Sequence, residues 1–251
     1  MDHKVIGTTM PVLEMQLAAG ESIVAEGGEL SWMTGPIDLH TAATGKAGAK
    51  GVFGAVKRAV AGGSLFMTEY TANGGPGMVA FATKVPGQIL PIEVSESQNY
   101  MVHRGGYLCG LPGVNLEIGF QQKFSAGLFG GAGFILQKVS GDGPAWIELD
   151  GEVVSYDLAA GETIMVHPGH VGMFEAGMAF ELERIKGIKN ILFGADSLFL
   201  AKLTGPGKVW LQTLPLPNLA AALAPYLATD SGDGNSGSRF NLGNINLGGD
   251  D

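Results

Sequence analysis

The chain has 251 residues and a formal net charge of −9, and it contains 41 Gly, 12 Pro and one Cys. Hydrophobic residues make up 45% of it, which excludes a disordered protein, and its glycines follow no three-residue period, which excludes collagen. A single cysteine cannot form an intramolecular disulfide, so a disulfide-stabilised secreted scaffold is excluded as well. The acidic balance argues against a nucleic-acid partner.

The N-terminal residues, Met1-Asp2-His3-Lys4, lack the basic start and continuous apolar core of a signal peptide. The longest apolar stretch, Leu128 to Leu136, has nine residues, whereas a membrane-spanning helix needs about 20. We therefore expect a cytoplasmic protein without a membrane span. Peripheral association with a membrane stays open at this point.

A sequence repeat dominates residues 101 to 210. When the chain is shifted by 64 residues, 14 of the 46 positions between Met101 and Trp146 are identical to their counterparts between Met165 and Trp210. Unrelated segments of ordinary composition would share about three. This degree of identity indicates an internal duplication.

A third, longer copy lies at the N-terminus. Its Leu17-Ala18-Ala19-Gly20-Glu21 recurs as Leu158-Ala159-Ala160-Gly161-Glu162, and its Gly75-Pro76-Gly77 recurs as Gly205-Pro206-Gly207. The changing offsets place an insertion in this copy, around residues 35–54. We predict one β domain over residues 1–216, made of three modules at about 12–91, 92–152 and 153–216.

Within each module, short β-branched and apolar runs alternate with Gly, Pro, Asp and Asn every eight to twelve residues, a pattern typical of antiparallel strands. Ser140–Gly143 and Thr204–Gly207 lie between such runs and are predicted hairpin turns. A short helix is predicted within 217–228, most clearly over Leu219 to Ala228, and another over Val52–Ala61. Residues 229–251 are rich in Gly, Ser, Asp and Asn, so we expect a disordered tail.

Several motifs together resemble the AIM24 family. They are Val5-Ile6-Gly7, the segment from Gly27 to Met33, Gly63-Ser64-Leu65-Phe66, and Gly127 to Gly131 followed by Phe134. The resemblance covers about residues 3 to 216. It implies a TRAP-like β-sandwich repeated with pseudo-threefold symmetry, and a homotrimer. It implies no catalytic residues, because the bacterial members have no agreed activity, and the likeness to an RNA-binding attenuator does not carry an RNA site here. A mitochondrial relative is linked to inner-membrane organisation.

Two histidines and a glutamate occupy equivalent positions in the three modules: Glu26, His103 and His167. If these side chains converged, they would suit Fe(II) or another divalent ion. The simpler interpretation is that each follows a repeated strand end and hydrogen-bonds loop backbone. A small-ligand or metal-binding module is therefore the alternative function. The leading hypothesis, given below, requires no cofactor.

Nucleophilic catalysis finds little support in the sequence. Gly62–Phe66 lacks the Gly-x-Ser-x-Gly elbow, and Cys109 aligns with Met173, as expected for a packing position. We therefore predict a protein that is not an enzyme.

Basic residues cluster in the middle of the modules. Eight of the 15 Lys and Arg lie there: Lys46, Lys50, Lys57, Arg58, Lys123, Arg184, Lys186 and Lys189. Apolar residues such as Phe53 and Ile188 lie among them, a combination that suits an anionic membrane surface. The alternative is a set of solvated loops. The sequence thus favours an oligomeric assembly scaffold or membrane-surface module.

Overall fold

The computed structural model describes residues 1–43, 65–122, 133–184 and 199–226. As predicted, the described chain is all-β, with four antiparallel sheets and one short helix. We name the sheets S1 to S4 in chain order.

Sheet S1 contains four strands in the order β1-β2-β7-β4. Their bounds are β1 Asp2–Ile6, β2 Val12–Leu17, β4 Trp32–Thr34 and β7 Gly77–Ala82. The middle strand β2 alternates buried and more exposed residues, with Leu13, Met15 and Leu17 nearly inaccessible, because successive side chains point to opposite faces.

Sheet S2 contains six strands in the order β5-β6-β3-β10-β13-β8. Their bounds are β3 Ser22–Glu26, β5 Ile37–Ala43, β6 Phe66–Ala72, β8 Gly87–Val94, β10 Tyr107–Gly110 and β13 Gly143–Asp150.

Sheet S3 has the order β11-β12-β9-β16-β19-β14, and sheet S4 the order β15-β18-β17. The strands of S3 are β9 Tyr100–His103, β11 Val114–Gln122, β12 Phe134–Gly141, β14 Val153–Leu158, β16 Val171–Glu175 and β19 Gly207–Gln212. Those of S4 are β15 Thr163–Val166, β17 Ala179–Arg184 and β18 Phe199–Thr204.

The two six-stranded sheets have matching strand orders. Each strand of S2 has a counterpart six strands later in the chain at the same place in S3, so that β3 matches β9 and β10 matches β16. In the centre of each sheet, a strand of one predicted module therefore pairs with a strand of the next module: β3 with β10 in S2, and β9 with β16 in S3. The bounds of the modules and their arrangement about a common axis stay predictions.

Three apolar clusters lie between successive sheets. The first joins S1 to S2 through residues such as Phe81 and Trp146, the second joins S2 to S3 through Ile147 and Val102, and the third joins S3 to S4 through Leu136 and Leu203. Strands β10 and β13 are buried on both faces, which explains their nearly continuous apolar sequence. Burial of apolar surface, at about 25 cal/mol per Å², stabilises these sheets.

The glycine-rich turns at Ser140–Gly143 and Thr204–Gly207 are present, but the prediction that they close hairpins is wrong, because β12 and β13 lie in S3 and S2, and β18 and β19 lie in S4 and S3. Strand β12 ends at Gly141 and β13 begins at Gly143, whose φ angles are 107° and 117°. Only glycine adopts such angles readily, so these turns account for part of the glycine excess.

The C-terminal helix, α1, lies at Leu216–Leu223 and continues as a 3-10 turn at Ala224–Tyr226. It begins before Leu219 because Pro217 is tolerated in a first helical turn, where its missing N–H is not needed. It ends before Pro225, which cannot continue an α-helix. The predicted helix at Val52–Ala61 and the predicted tail at 229–251 lie outside the described residues.

Candidate functional site

The repeat-equivalent residues Glu26, His103 and His167 lie at one end of the molecule. Strand β10 begins beside the end of β3, because Cys109 pairs with Ala25, and β16 begins beside the end of β9, because Met173 pairs with Val102. The short β9–β10 and β15–β16 connections therefore lie at this same end. We call it the hairpin end.

Three strand pairs open toward the hairpin end: β5–β6, β11–β12 and β17–β18. The second strand of each pair begins one or two residues before the residue that pairs with Glu26, His103 or Val166. The pairings that show this are Met67 with Glu26, Leu136 with His103, and Ala201 with Val166. The described strand ends that flank residues 44–64, 123–132 and 185–198 thus lie at one end of the molecule.

Of the eight basic candidates, the structure places Arg184, which is exposed at the last position of β17 and pairs with Phe199. The other seven lie outside the described residues: Lys46, Lys50, Lys57, Arg58, Lys123, Lys186 and Lys189. The strands that flank them end at the hairpin end.

Glu26 lies at the end of β3 and contacts a buried glutamine of the neighbouring sheet. The Gln137 side chain, 1% exposed, donates from Nε2 to Glu26 Oε2 over 3.0 Å. The same side chain accepts a hydrogen bond from the backbone N–H of Gly105 over 3.2 Å. Gln137 therefore joins sheets S2 and S3 at the hairpin end.

His103 and His167 contact different partners. The His103 Nε2 atom lies 3.0 Å from the Glu148 carbonyl oxygen, and the ring centroid of His167 lies 5.9 Å from that of His170. Burial lowers the pKa of His103, an effect that the Asp150 charge opposes. Burial, followed by the His170 charge, lowers the pKa of His167.

Glu26, His103 and His167 therefore share one end of the molecule without forming a common site. In the described part of the chain, no three His, Cys, Asp or Glu side chains are grouped so that they could hold a metal ion. The geometry gives the metal-binding alternative no support, and that alternative stays a prediction.

A buried acidic cluster lies at the hairpin end, and the sequence did not reveal it. It comprises Glu29, Glu148 and Asp150, all at most 6% exposed, with Lys84 beside them. The Lys84 ammonium donates to Glu29, and the Lys84 backbone N–H donates to Glu148 Oε1 over 2.9 Å. Glu148 and Trp146 are two residues apart in β13, so their side chains lie on the same face of the strand. This face is buried, and Glu148 is buried with it.

Burial governs the protonation of this cluster. It raises the pKa of Glu148 to about 7, although the Lys84 backbone hydrogen bond and charge act in the opposite direction. Burial also raises the pKa of Glu29, against the Lys84 hydrogen bond and charge, and that of Asp150, against the His103 charge. A charged residue at a strand end usually indicates solvent exposure, so the pattern of the sequence gave no signal of this burial.

A second polar network joins β13 to the last module. The Gln212 side chain accepts from the backbone N–H of Asp150 over 3.0 Å and donates to the Gly169 carbonyl oxygen over 3.0 Å. His170 Nδ1 lies 2.8 Å from the Gln212 carbonyl oxygen. Gln212 occupies in β19 the place that Glu148 has in β13, so equivalent positions carry different polar groups.

Cys109 is a packing residue, as predicted. It is 0% exposed and pairs with Trp146, while its counterpart Met173 is also 0% exposed and pairs with Trp210. Burial raises the pKa of the Cys109 thiol well above its usual value, and the Glu29 charge adds to this effect. Such a thiol is unsuited to nucleophilic chemistry.

The fold and the hairpin end together define an all-β protein of packed antiparallel sheets. In the described part of the chain, no helix combines the length and the apolar character that crossing a membrane requires. The family model described as mitochondrial biogenesis AIM24 matches residues 3–214, and the chain belongs to this family, as the sequence motifs predicted.

Two streptococcal proteins are similar to this chain. An uncharacterized protein of Streptococcus pyogenes serotype M6 is 28% identical over 226 residues, which cover 88% of each chain. The crystal structure of another Streptococcus pyogenes protein superposes with a TM-score of 0.71 at 23% identity, covering 90% of this chain and 99% of that one. This likeness confirms the fold and extends no further.

Proposed function

We propose that the protein is a non-enzymatic, oligomeric β-protein that attaches to anionic membrane surfaces through its hairpin end. The observation that carries this proposal is that the strands flanking residues 44–64, 123–132 and 185–198 all end at the hairpin end. Their registers correspond in the three modules, and this supports a shared location for the basic segments.

The charge of the segments supports an anionic partner. They contain seven Lys or Arg and a single acidic residue, Asp196, so their net charge is +6 in a chain whose total is −9. The remainder of the chain therefore carries −15. A protein with this separation of charge approaches a negative surface with its hairpin end first, because the rest of the molecule is repelled.

Apolar residues within the same segments support a lipid surface in particular. Val52, Phe53 and Val56 flank Lys57 in the first segment, and Ile185 and Ile188 flank Lys186 in the third. Basic residues contribute about 1 kcal/mol each near an anionic bilayer, and apolar side chains add the burial of their own surface in the headgroup region.

Absence of catalysis and a location in the cytoplasm, peripheral to its membrane, belong to the same proposal. The groups with altered protonation at the hairpin end, such as Glu148 and Cys109, are nearly inaccessible to a substrate. A TRAP-like homotrimer would present nine basic segments, three from each chain. Several copies would multiply the weak attachment of each segment.

Vesicle flotation with a charge-removing variant tests the proposal. In the quadruple variant, Lys46, Lys50, Lys57 and Arg58 are replaced by Gln. Removal of four charges at about 1 kcal/mol each should weaken binding to phosphatidylserine-containing vesicles by on the order of 100-fold or more. Neutral phosphatidylcholine vesicles should bind neither protein.

A matched control removes the same number of charges from strands. Lys4, Lys138, Lys202 and Lys208, in β1, β12, β18 and β19, are replaced by Gln, and this variant should float with the wild-type protein. Equal loss of binding in both variants would attribute the effect to net charge and would contradict attachment through the hairpin end.

The alternative, a metal or small-ligand module using Glu26, His103 and His167, has a separate test. Metal analysis of the purified protein, repeated on a His103→Ala/His167→Ala variant, would favour it if stoichiometric metal were present and were lost in the variant.

A further inference from the structure

Two edge strands differ in composition from the others. Among the eight edge strands of the described sheets, six carry at least one Asp, Glu, Lys or Arg, as the edges of natural sheets usually do to prevent pairing with another chain. Strand β4, Trp32–Thr34, and strand β15, Thr163–Val166, carry none. These two edges lack that protection.

The counterparts of β4 and β15 are paired with each other in the interior of S2 and S3. Strand β4 stands in S1 where β10 stands in S2, and β15 stands in S4 where β9 stands in S3. The central pairs β3–β10 and β9–β16 are both antiparallel. The same junction between module halves is thus made twice in the described chain, and its third instance would join β4 to β15.

Exposure shows what the missing junction leaves uncovered. Trp32 is 46% exposed, whereas Cys109 and Met173, which have the same place in the equivalent strands, are 0% exposed. Met33 and Met165 are 40% and 42% exposed. Large apolar side chains are therefore accessible on both edges.

We propose that β4 of one copy of this chain pairs antiparallel with β15 of a second copy, completing a third sheet of the S2 and S3 type. The registers of the two existing junctions, Cys109 with Ala25 and Met173 with Val102, place Trp32 opposite Val166. They also place Met33 opposite Met165. This inference deepens the assembly part of the proposed function.

The pairing partner of each edge is a second copy of the chain, because S1 and S4 share no apolar cluster among the described residues. The three apolar clusters join S1 to S2, S2 to S3 and S3 to S4, and none of them contains residues from both S1 and S4. Since β4 and β15 are different surfaces, the contact is heterologous and propagates head to tail, closing into a ring if the rotation permits.

Cysteine cross-linking between two single variants tests the pairing. Met33→Cys and Met165→Cys proteins are mixed and oxidised with copper-phenanthroline, since directly opposite residues of antiparallel strands lie within disulfide range. The buried Cys109 does not compete. The mixture should give a reducible dimer on a denaturing gel, at least tenfold more than either protein alone.

A control mixture replaces Met33→Cys by Leu39→Cys, an exposed position on the charged edge strand β5, and should give no dimer. A Met33→Cys/Met165→Cys double variant that forms its disulfide only within one chain would overturn the proposal in favour of closure in the same chain. If neither the mixture of single variants nor the double variant formed a disulfide, the pairing of β4 with β15 would be overturned altogether.

A second measurement does not depend on a disulfide. Met33→Lys, which introduces the charge that this edge lacks, should shift the mass from light scattering to that of a monomer, whereas Leu39→Lys should leave it unchanged. Flotation of the wild-type protein together with no mixed dimer between the two cysteine variants would reject the edge pairing alone. Mixed dimers between the cysteine variants together with no flotation of the wild-type protein would reject the membrane attachment alone.

Discussion

The Glu148 carboxylate accepts a hydrogen bond from the Lys84 backbone N–H through Oε1 over 2.9 Å, while its Oε2 atom is buried without a partner in the described part of the chain. Burying a carboxylate oxygen without a hydrogen bond costs free energy. Burial keeps the side chain protonated to about pH 7, which lowers this cost because an uncharged carboxyl loses less hydration than a carboxylate. Glu148 therefore couples the stability of the hairpin end to pH.

Replacement of Glu148 by Gln should stabilise the protein above pH 7. The amide keeps the acceptor for Lys84 and removes the buried charge. A native pKa of about 7 against 4.5 unfolded corresponds to about 3 kcal/mol at pH 8, or on the order of 10 °C in Tm. Differential scanning calorimetry measures this shift. The exposed Glu117→Gln serves as control, and a lower Tm for Glu148→Gln would contradict the assignment.

The advantage of Glu148→Gln should depend on pH in one direction. Because the native pKa of Glu148 is raised, the native state holds a proton that the unfolded state loses between pH 4.5 and about 7, so this group lowers stability as the pH rises. The lowered pKa values of His103 and His167 act in the opposite sense, since unfolding takes up protons below their unfolded value of 6.5.

Denaturant unfolding of the wild-type protein and of Glu148→Gln at a series of pH values isolates the Glu148 effect, because the histidine contributions cancel in the difference. This difference should grow from about pH 4.5 to about pH 7 and then level off. A difference that is constant over this range would show that Glu148 does not titrate as the structure indicates.

The Gln137 side chain should be needed for the junction of S2 and S3. In Gln137→Ala, Glu26 loses a donor and the Gly105 N–H loses an acceptor, at a cost of about 1–3 kcal/mol. Gln121→Ala, on the same hairpin but exposed, should change the free energy of unfolding by less than about 0.5 kcal/mol. Equal effects of the two variants would show that the hydrogen bonds of Gln137 do not stabilise the junction of S2 and S3.

The Cys109 thiol should react with Ellman's reagent only after unfolding. It is 0% exposed, and burial together with the Glu29 charge raises its pKa, so thiolate is scarce in the native state. We expect one thiol per chain to react in denaturant and almost none in buffer. Rapid stoichiometric reaction of the native protein would contradict its position in the core.

Much of the fold followed from the repeat. A shift of 64 residues brings β9 to β13 onto β15 to β19, and the alignment of Cys109 with Met173 predicts two packing positions, both of which are 0% exposed. The glycines at Ser140–Gly143 predicted a tight turn, which the positive φ angles of Gly141 and Gly143 confirm, but not that its two strands enter different sheets. Local and repeated features of this kind are written directly in the sequence.

The candidate site was less predictable because it depends on contacts between sheets. Equivalent positions placed Glu26, His103 and His167 at one end, yet their partners differ: Gln137 and Glu148 lie far away in sequence from Glu26 and His103, whereas His170 lies three residues after His167. The burial of Glu148 depends on the loop that carries Lys84, 64 residues earlier. No periodicity records such a contact.

Flotation of the wild-type protein with vesicles tests the central claim most directly. Attachment through the basic segments predicts recovery with phosphatidylserine-containing vesicles at low salt, a progressive loss as salt is raised, and no recovery with phosphatidylcholine alone, because salt screens the attraction between exposed charges. Failure to float on anionic vesicles at low salt, or binding that is indifferent to both salt and lipid charge, would contradict the account.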